Sequence, residues 1–376
     1  MEHWRHSKII ENQGITYNIK ADRFSNSCHE FNCMIKDFDT EVITIKNGVI
    51  ADSDRFRTLG NGIIIGSTME AMRRLPELFD RHFGKCHTDE TNGFTDINTA
   101  LWQDGFFIYV PKNAVAEKPI QIIKLIDSKS NPFIQTRNIV ILEDNAELSI
   151  VDCDDTKCHQ PSMINSYSET FIGRNAHLVT YKLQNLNDST TLINTNATIQ
   201  LEDSALRSFI ISFNGGKIRN NITVNLNGEG ADSHVYGLYL MDKTQHVDNQ
   251  LKINHNVPNC TSNEKFKGIL DDEASAVFNG HVYVAHNAQK TNAYQNNSNI
   301  LLTDKAKINT MPFLEIYADD VKCSHGTSTG QLDQEAMFYM RQRGISKEDA
   351  RMLLMYAFAA EISNNISILA LKERID

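Results

Sequence analysis

The sequence predicts a mainly β protein whose core is a parallel β-helix, a solenoid of stacked coils. We expect a mixed α/β N-terminal segment over residues 1–95, the β-helix over residues 96–320 and a C-terminal helical domain over residues 321–376. Three observations support this prediction. A short repeat recurs through the middle of the chain, alternating strands lie between its copies, and strong helix-capping signals follow near the C-terminus.

The N-terminal segment contains one clear helix start. Ser67 and Glu70 have the spacing of a capping box, which predicts a helix to about residue 75. Pro76 cannot continue that helix without losing a backbone hydrogen bond, so we expect a break or a new turn there.

The repeat has the form Leu-x-Asp-x-Ala, and an apolar stretch follows each copy. Its copies, two of them diverged, end at Ala146, Ala176, Ala205, Ala231, Ala274 and Ala306. These alanines are separated by 30, 29, 26, 43 and 32 residues. Self-similarity at a nearly fixed period is typical of solenoids, in which each coil buries its inward side chains by stacking on the next. We expect each alanine at a corner of a coil, where a larger side chain would be crowded.

Short segments with apolar residues at alternate positions lie between the copies, and turns rich in Asn, Asp and Gly separate them. The predicted strands cover residues 106–110, 120–126, 139–150, 178–183, 197–201, 209–213, 222–226, 235–240 and 282–284. Two or three such strands in each repeat fit one coil of a β-helix. A β-sandwich also contains many short strands and stays open as an alternative.

The C-terminal region predicts two helices. Asp333 is a favourable N-cap and Gly344 a favourable terminator, which together predict a helix over residues 334–343. Ser346 and Asp349 open a second helix. This second helix is apolar on nearly all sides, so it needs cover from its own domain and from a second surface as well.

The composition indicates which partners and compartments to expect. The 376 residues carry a net charge of −10 without a Lys/Arg cluster, which argues against nucleic acid or a membrane surface as partner. Seven cysteines without close pairing are typical of reduced thiols. No secretory leader and no run of 18 apolar residues is seen, so we expect a cytoplasmic protein.

Cys323 and His325 form the strongest candidate site. They are two residues apart, and on a strand such residues point to one face, where a thiol and an imidazole can bind the same iron atom. Weaker metal candidates are Cys28, His29, Cys33, Cys86, His87, Cys153, Cys158, His159, His246, His255, His281 and His286. Their spacings match no standard metal motif, and histidines on β-helix walls more often make local hydrogen bonds.

The segments at residues 322–327, 331–333 and 337–345 resemble, in order and spacing, the C-terminal part of the SufB/SufD family. Members of this family are scaffold subunits of the SUF iron–sulfur cluster assembly system, and the similarity is greatest to SufD. Further matches lie at residues 267–270, 278–280 and 313–316. The resemblance implies a right-handed parallel β-helix and a scaffold without enzyme activity of its own.

The resemblance also implies partners and residue roles. His325, with Cys323 beside it, corresponds to the cluster-assembly site at the contact with SufB, where iron or a cluster is held transiently and no cofactor is bound tightly. The helical region of about residues 334–376 corresponds to the part that binds the SufC ATPase, and we assign Tyr356 and Phe358 to that surface. Exposed terminal strands favour self-pairing when the partner is absent, so we expect a homodimer of the isolated chain.

Two alternative functions stay open, and one kind of binding site is excluded. A SufB-like paralogue is disfavoured because Asn296 and Gly326 stand where SufB has Cys and Glu. A polysaccharide-binding or lyase β-helix would place a carboxylate row on an outer face, and Asp152, Asp154 and Asp155 are candidates for that row. A phosphate-binding loop is not encoded, because the segment at residues 215–218 lacks its first glycine and its Ser/Thr.

Overall fold

The computed structural model describes residues 7, 9, 14–19, 38–51, 54–86 and 93–375. The candidate ligands Cys28, His29, Cys33 and His87 lie outside these described residues. Within them the chain forms a β-solenoid of about eight turns, followed by helices at its C-terminal end, which confirms the predicted fold class.

The strands are β1 (Glu41–Lys46), β2 (Val49–Ile50), β3 (Phe56–Thr58), β4 (Ile64–Ser67), β5 (Phe106–Val110), β6 (Ile120–Ile126), β7 (Phe133–Leu142), β8 (Glu147–Thr156), β9 (Ser162–Ile172), β10 (His177–Asn185), β11 (Thr190–Gln200), β12 (Ala205–Asn214), β13 (Lys217–Leu226), β14 (Asp232–Met241), β15 (His246–His255), β16 (Thr261–Leu270), β17 (Ser275–Val284), β18 (Asn292–Leu301), β19 (Lys307–Ile316) and β20 (Lys322–Gly330). The helices of the described residues are α1 (Thr68–Arg74), α2 (Pro76–His82), α3 (Gly93–Leu101), α4 (Gln334–Gln342), α5 (Lys347–Ser363) and α6 (Leu369–Ile375).

The strands form two ten-stranded sheets, and from β5 onward successive strands alternate between them. One sheet, here named the even wall, runs from β2 and β1 through β6 and the following even-numbered strands to β20. The other, the odd wall, runs from β3 and β4 through β5 and the following odd-numbered strands to β19. From β7 onward each strand pairs in parallel with the strand two places before it in the sequence, as β7 does with β5 and β10 with β8. A sandwich of antiparallel sheets is therefore excluded.

The repeat marks corners of the coils, with one correction. Asn145 and Asn175 adopt left-handed backbone conformations, with φ of 59° and 52°, and the buried Ala146 and Ala176 follow them. In the next copy the corner residue is the buried Ser204, so the prediction that Ala205 occupies the corner is wrong by one residue. A small residue is required at the corner, and Ser meets that requirement as Ala does.

The 43-residue interval in the repeat also has a structural explanation. Ala146, Ala176 and Ala231 directly precede strands of the even wall, whereas Ala274 and Ala306 precede strands of the odd wall. The repeat therefore marks two different corners, half a coil apart.

The inner faces of both walls meet in one apolar core. Leu178 of the even wall and Leu192 of the odd wall belong to this core, as do the corner alanines. On the outside, α1 and α2 cover the start of the odd wall, where Phe79 packs with Phe107. Helices α5 and α6 cover the outer face of the even wall, where Ile362 and Leu371 lie in one cluster with β-strand residues.

The helix starts follow the predicted caps. The side chains of Ser67, Asp333 and Ser346 each accept a hydrogen bond from a backbone N–H in the first turn of α1, α4 and α5, respectively. Strand β20 still belongs to the solenoid, which extends to Gly330, past the boundary expected at residue 320. None of the described helices has the length and apolar character that crossing a lipid bilayer requires.

Candidate functional site

Cys323 and His325 lie on β20, the last strand of the even wall. Their register partners on β18 are Ala293 and Gln295. Ala293 packs in one buried cluster with Val282 of the odd wall, so this face of β18 is its inner face. Cys323 and His325 therefore share the inner face of the last coil, as their spacing predicts.

The thiol of Cys323 lies at the edge of the apolar interior. It packs against a cluster that includes Ala293 and Ala318, and this burial raises the pKa of the thiol above its usual value. The group is therefore a protonated thiol at neutral pH. A metal ion that binds it must displace the proton, since the thiolate is the ligand.

His325 is exposed, because β20 has a neighbouring strand on one side only among the described strands. Together with Cys323 it offers two ligands. The described part of the chain contains no group of three or more His, Cys, Asp or Glu side chains arranged to hold a metal ion. Tetrahedral iron or a cluster bound at this end would need ligands beyond these two.

Behind His325 lies a buried polar line that the sequence analysis did not identify. Gln295 Nε2 donates a hydrogen bond of 2.7 Å to Glu264 Oε2, and both side chains are buried. Burial raises the pKa of Glu264 to about 8, so this carboxyl is protonated at neutral pH. The residues at 264, 295 and 325 are 31 and 30 residues apart, which is the period of the repeat. This spacing is the sequence signal from which the alignment of the three side chains could have been predicted.

The odd-wall strand at the same end has an exposed, partly aromatic surface. Phe313 is 54% exposed and Tyr317, just after β19, is 46% exposed. Tyr317 Oη donates a hydrogen bond of 2.7 Å to Glu315 Oε1, and His281 Nε2 lies 3.1 Å from Glu315 Oε2. The end of the solenoid therefore combines unpaired strand edges with apolar side chains, which is typical of a protein-binding surface.

The two residues assigned to the ATPase surface differ in their surroundings. Tyr356 is 46% exposed, and it borders an open groove of about 460 Å³ that Met352 and Met355 also line. Phe358 is half-buried, and its ring faces the ammonium of Lys267 on β16. Tyr356 is thus accessible to a partner, whereas Phe358 holds α5 against the solenoid.

Two of the weaker metal candidates, His246 and His255, are buried in the walls of the solenoid. His246 is hydrogen-bonded to Ser275 and His255 to Ser262, at 2.9 Å in each case. Burial lowers the pKa of His255 to about 4, which keeps this imidazole neutral. These histidines make local hydrogen bonds, as expected for wall positions.

The carboxylate row proposed for a polysaccharide-acting β-helix is not on the surface. Asp152 and Asp154 point into the solenoid, where both form ion pairs with Lys182, at 2.9 and 2.7 Å. Lys124 also pairs with Asp152, at 2.8 Å. Asp155, the third residue of the predicted row, is also buried, so the three carboxylates form no exposed row that a glycan could reach.

Comparison with known proteins gives matches over nearly the whole chain. Residues 125–358 match a family profile described as "SUF system FeS cluster assembly, SufBD core domain", and residues 1–122 match one described as "SufBD protein N-terminal region". The first of these covers the solenoid from the end of β6 onward together with α4 and most of α5.

Among similar curated proteins, an iron–sulfur cluster assembly SufBD family protein of Synechocystis is 34% identical over 77% of this chain and 66% of its own length. The iron–sulfur cluster assembly protein SufD of Escherichia coli is 31% identical over 75% of this chain and 67% of its own. The protein SufB of Bacillus subtilis is 26% identical over 79% of this chain and 64% of its own. The chain thus spans about two thirds of the length of these relatives.

Proposed function

The chain belongs to the SufBD family of iron–sulfur cluster assembly proteins, and from this premise we propose that it is a SufD-like scaffold subunit. In this proposal it pairs with a SufB-like subunit and binds a SufC-like ATPase in the cytoplasm. It carries out no reaction by itself. It supplies part of the surface on which iron and sulfide are assembled into a cluster for transfer to other proteins.

The arrangement of Cys323 and His325 carries this proposal. Both lie on the inner face of the terminal strand, one at the edge of the core and the other exposed. A thiolate and a neutral imidazole are good ligands for iron, yet two ligands do not complete its coordination. A site that is half complete and lies on a strand with a neighbour on one side only, among the described strands, fits a cluster that forms between two subunits and is then released.

Two observations favour a SufD-like over a SufB-like role. The identity to SufD of E. coli is 31%, against 26% to SufB of B. subtilis. In addition, Asn296 and Gly326 are register partners on β18 and β20, at the positions where the SufB pattern has Cys and Glu. An amide and a glycine offer iron no good ligand, so the ligands at those positions would come from the partner.

The C-terminal helices support the proposed ATPase contact. The groove beside Tyr356 lies between α5 and the even wall, and its lining is mainly apolar. Apolar grooves of this kind accept a helix or loop of a partner protein. Energy from ATP would enter through that partner, because the chain itself encodes no phosphate-binding loop.

The proposal is tested by co-expression with the SufB-like and SufC-like proteins of the same organism. We expect the three to co-purify, and we expect the reconstituted complex to contain iron and acid-labile sulfide. His325→Ala should leave the subunit stoichiometry unchanged and lower iron and sulfide per complex. Normal iron and sulfide in the intact variant complex would remove His325 from the site, and failure to co-purify would reject the scaffold role.

A further inference from the structure

Three side chains form a line along the inner face of the even wall and end at its open edge. Glu264 on β16 and Gln295 on β18 are register partners, and Gln295 is in turn the partner of His325 on β20. Partners on neighbouring parallel strands project to the same face, about 4.8 Å apart. His325 therefore stands next to Gln295, and Gln295 next to Glu264.

The amide of Gln295 is held in one orientation from two sides. Its Nε2 donates to Glu264 Oε2 at 2.7 Å. From the odd wall, Gly280 on β17 leaves room for it: a β-carbon on Gly280 would lie 2.1 Å from the same nitrogen. Gly280 belongs to the segment at residues 278–280 that resembles the family pattern, and this close approach explains why a glycine is needed there.

The carbonyl oxygen of this amide is left without a partner. Gln295 is 3% exposed, and its Oε1 is buried and makes no hydrogen bond in the described structure. Nε2 is turned to Glu264 on β16, and β20 is the neighbour of β18 on the opposite side. A buried carbonyl without a hydrogen-bond partner destabilises the fold. On β20, the register neighbour of Gln295 is an imidazole, which has an N–H to donate.

We propose that Gln295 is a positioning residue for His325. Rotation of the exposed imidazole brings one ring N–H to Gln295 Oε1, which fixes the tautomer and turns the lone pair of the other nitrogen outward from the end of the solenoid. The inference rests on the proposed function, in which that second nitrogen meets iron or a cluster. Imidazole ligands usually depend on such a hydrogen bond from the ring nitrogen that does not bind the metal. Glu264 acts one step behind, because it keeps the NH₂ group of Gln295 turned away from β20.

The test reads the tautomer of His325 directly in the full-length chain. The protein is labelled with ¹⁵N-histidine, and the His325 ring signals are identified by their loss in His325→Ala. We expect one tautomer in the wild type and a mixture in Gln295→Met, because methionine keeps the length and burial of glutamine but has no carbonyl. Asn297→Leu is the matched control, since Asn297 is also a buried amide on β18 but has Thr327 as its register partner. It should keep the single tautomer.

Two further variants separate positioning from general damage. Glu264→Gln retains an acceptor for Gln295 Nε2 and should keep the single tautomer, whereas Glu264→Met should lose it. Gly280→Ala places a methyl group against the amide and should also give a mixture, which provides a test if Gln295→Met does not fold. In the complex with the partner subunits, Gln295→Met should lower iron and sulfide about 10-fold.

The outcomes distinguish this inference from the proposed function. A folded Gln295→Met chain with the wild-type tautomer overturns the role of Gln295, whatever the complex contains. A change of tautomer in that variant, combined with normal iron and sulfide in the His325→Ala complex, supports the positioning and rejects the proposed role of His325.

Discussion

Lys267 and Phe358 join the solenoid to its C-terminal helices: the ammonium nitrogen of Lys267 lies 4.1 Å from the centroid of the Phe358 ring. The same ammonium forms an ion pair of 2.6 Å with Glu361 Oε1, one turn further along α5. One buried lysine of β16 therefore fixes two successive positions of the helix. The exposed face of α5, which carries Tyr356, is presented in a defined orientation.

Because of these contacts, we expect different effects from substitutions of the two residues assigned to the ATPase surface. Tyr356→Glu should weaken binding of the SufC-like partner at least about 30-fold and should lower the stability of the chain less than Phe358→Ala does, because the Tyr356 ring is 46% exposed whereas the Phe358 ring is half-buried against Lys267. Tyr356→Phe is the control and should bind normally. Titration calorimetry with the purified ATPase measures both, and equal binding by the Glu variant would exclude Tyr356 from the interface.

Phe358→Ala should act on the fold instead. Loss of the ring contact with Lys267 should destabilise the chain by roughly 1–3 kcal/mol, seen as a lower urea midpoint. Any loss of partner binding should then be accompanied by loosening of α5. A variant of unchanged stability that no longer binds the partner would show that Phe358 contacts the partner directly.

Cys323 should matter less than His325 for cluster content. Thiolate and imidazole on one strand face can partly replace each other, and in the proposed function a cysteine from the partner would anchor the iron. We expect Cys323→Ala to retain more iron and acid-labile sulfide per complex than His325→Ala, and the double variant to retain least. Equal depletion in the two single variants would mean that neither ligand compensates for the other.

Glu264 gives the stability of the fold a defined pH dependence. Burial raises its pKa from 4.5 to about 8, so the folded chain holds a proton that the unfolded chain releases. This contribution is fully present below about pH 4.5 and is lost as the pH rises through about 8, with a slope of up to about 1.4 kcal/mol per pH unit.

Glu264→Gln mimics the protonated side chain and lacks that slope. The urea midpoint of the variant should therefore improve relative to the wild type with each step from pH 5 to pH 8. Two stability curves that stay parallel over this range would show that Glu264 is not protonated in the folded chain.

Arg137 and Glu169 form the buried ion pair that secures the segment after α2. Arg137 Nε donates to Glu169 Oε2 at 3.0 Å, and the carboxylate also accepts the backbone N–H groups of Gly84 and Cys86. Glu169→Leu leaves a buried guanidinium without its counter-charge and should cost about 3–5 kcal/mol.

The double variant Arg137→Met/Glu169→Leu should recover part of that loss, because no unpaired charge remains. Chemical denaturation of the four proteins measures the coupling. A single variant as stable as the wild type would mean that solvent reaches the pair.

Alternation along the chain predicts strands well only where a turn is visible in the sequence. The predicted strands at residues 106–110 and 120–126 match β5 and β6 residue for residue. The prediction for residues 139–150 joined the end of β7 to the start of β8, because the corner at Asn145 contains neither Gly nor Pro. Its left-handed φ of 59° is adopted by an asparagine, a residue that tolerates this conformation but is also common elsewhere.

The site was predictable in part for a similar reason. Cys323 and His325 are close in sequence, so a short motif identifies them. Gln295 and Glu264 meet His325 only through the register of three coils, and β18 shows no apolar alternation because its inner face carries Gln295, Asn297 and Asn299. From the sequence alone, polar side chains inside a solenoid cannot be distinguished from surface residues, because the pairing of the strands is not known.

The last coil has a further consequence for the assembled protein. Among the described strands, β19 and β20 each have one neighbour, and in a stack of coils each unit is stabilised by the contacts on its two sides. The amide protons of this coil should therefore exchange with deuterium sooner than those of the middle of the stack. A partner that docks there supplies the missing side. Binding of the partner would then order the strand that presents His325. Formation of the cluster site would in that case be thermodynamically coupled to local folding of the last coil.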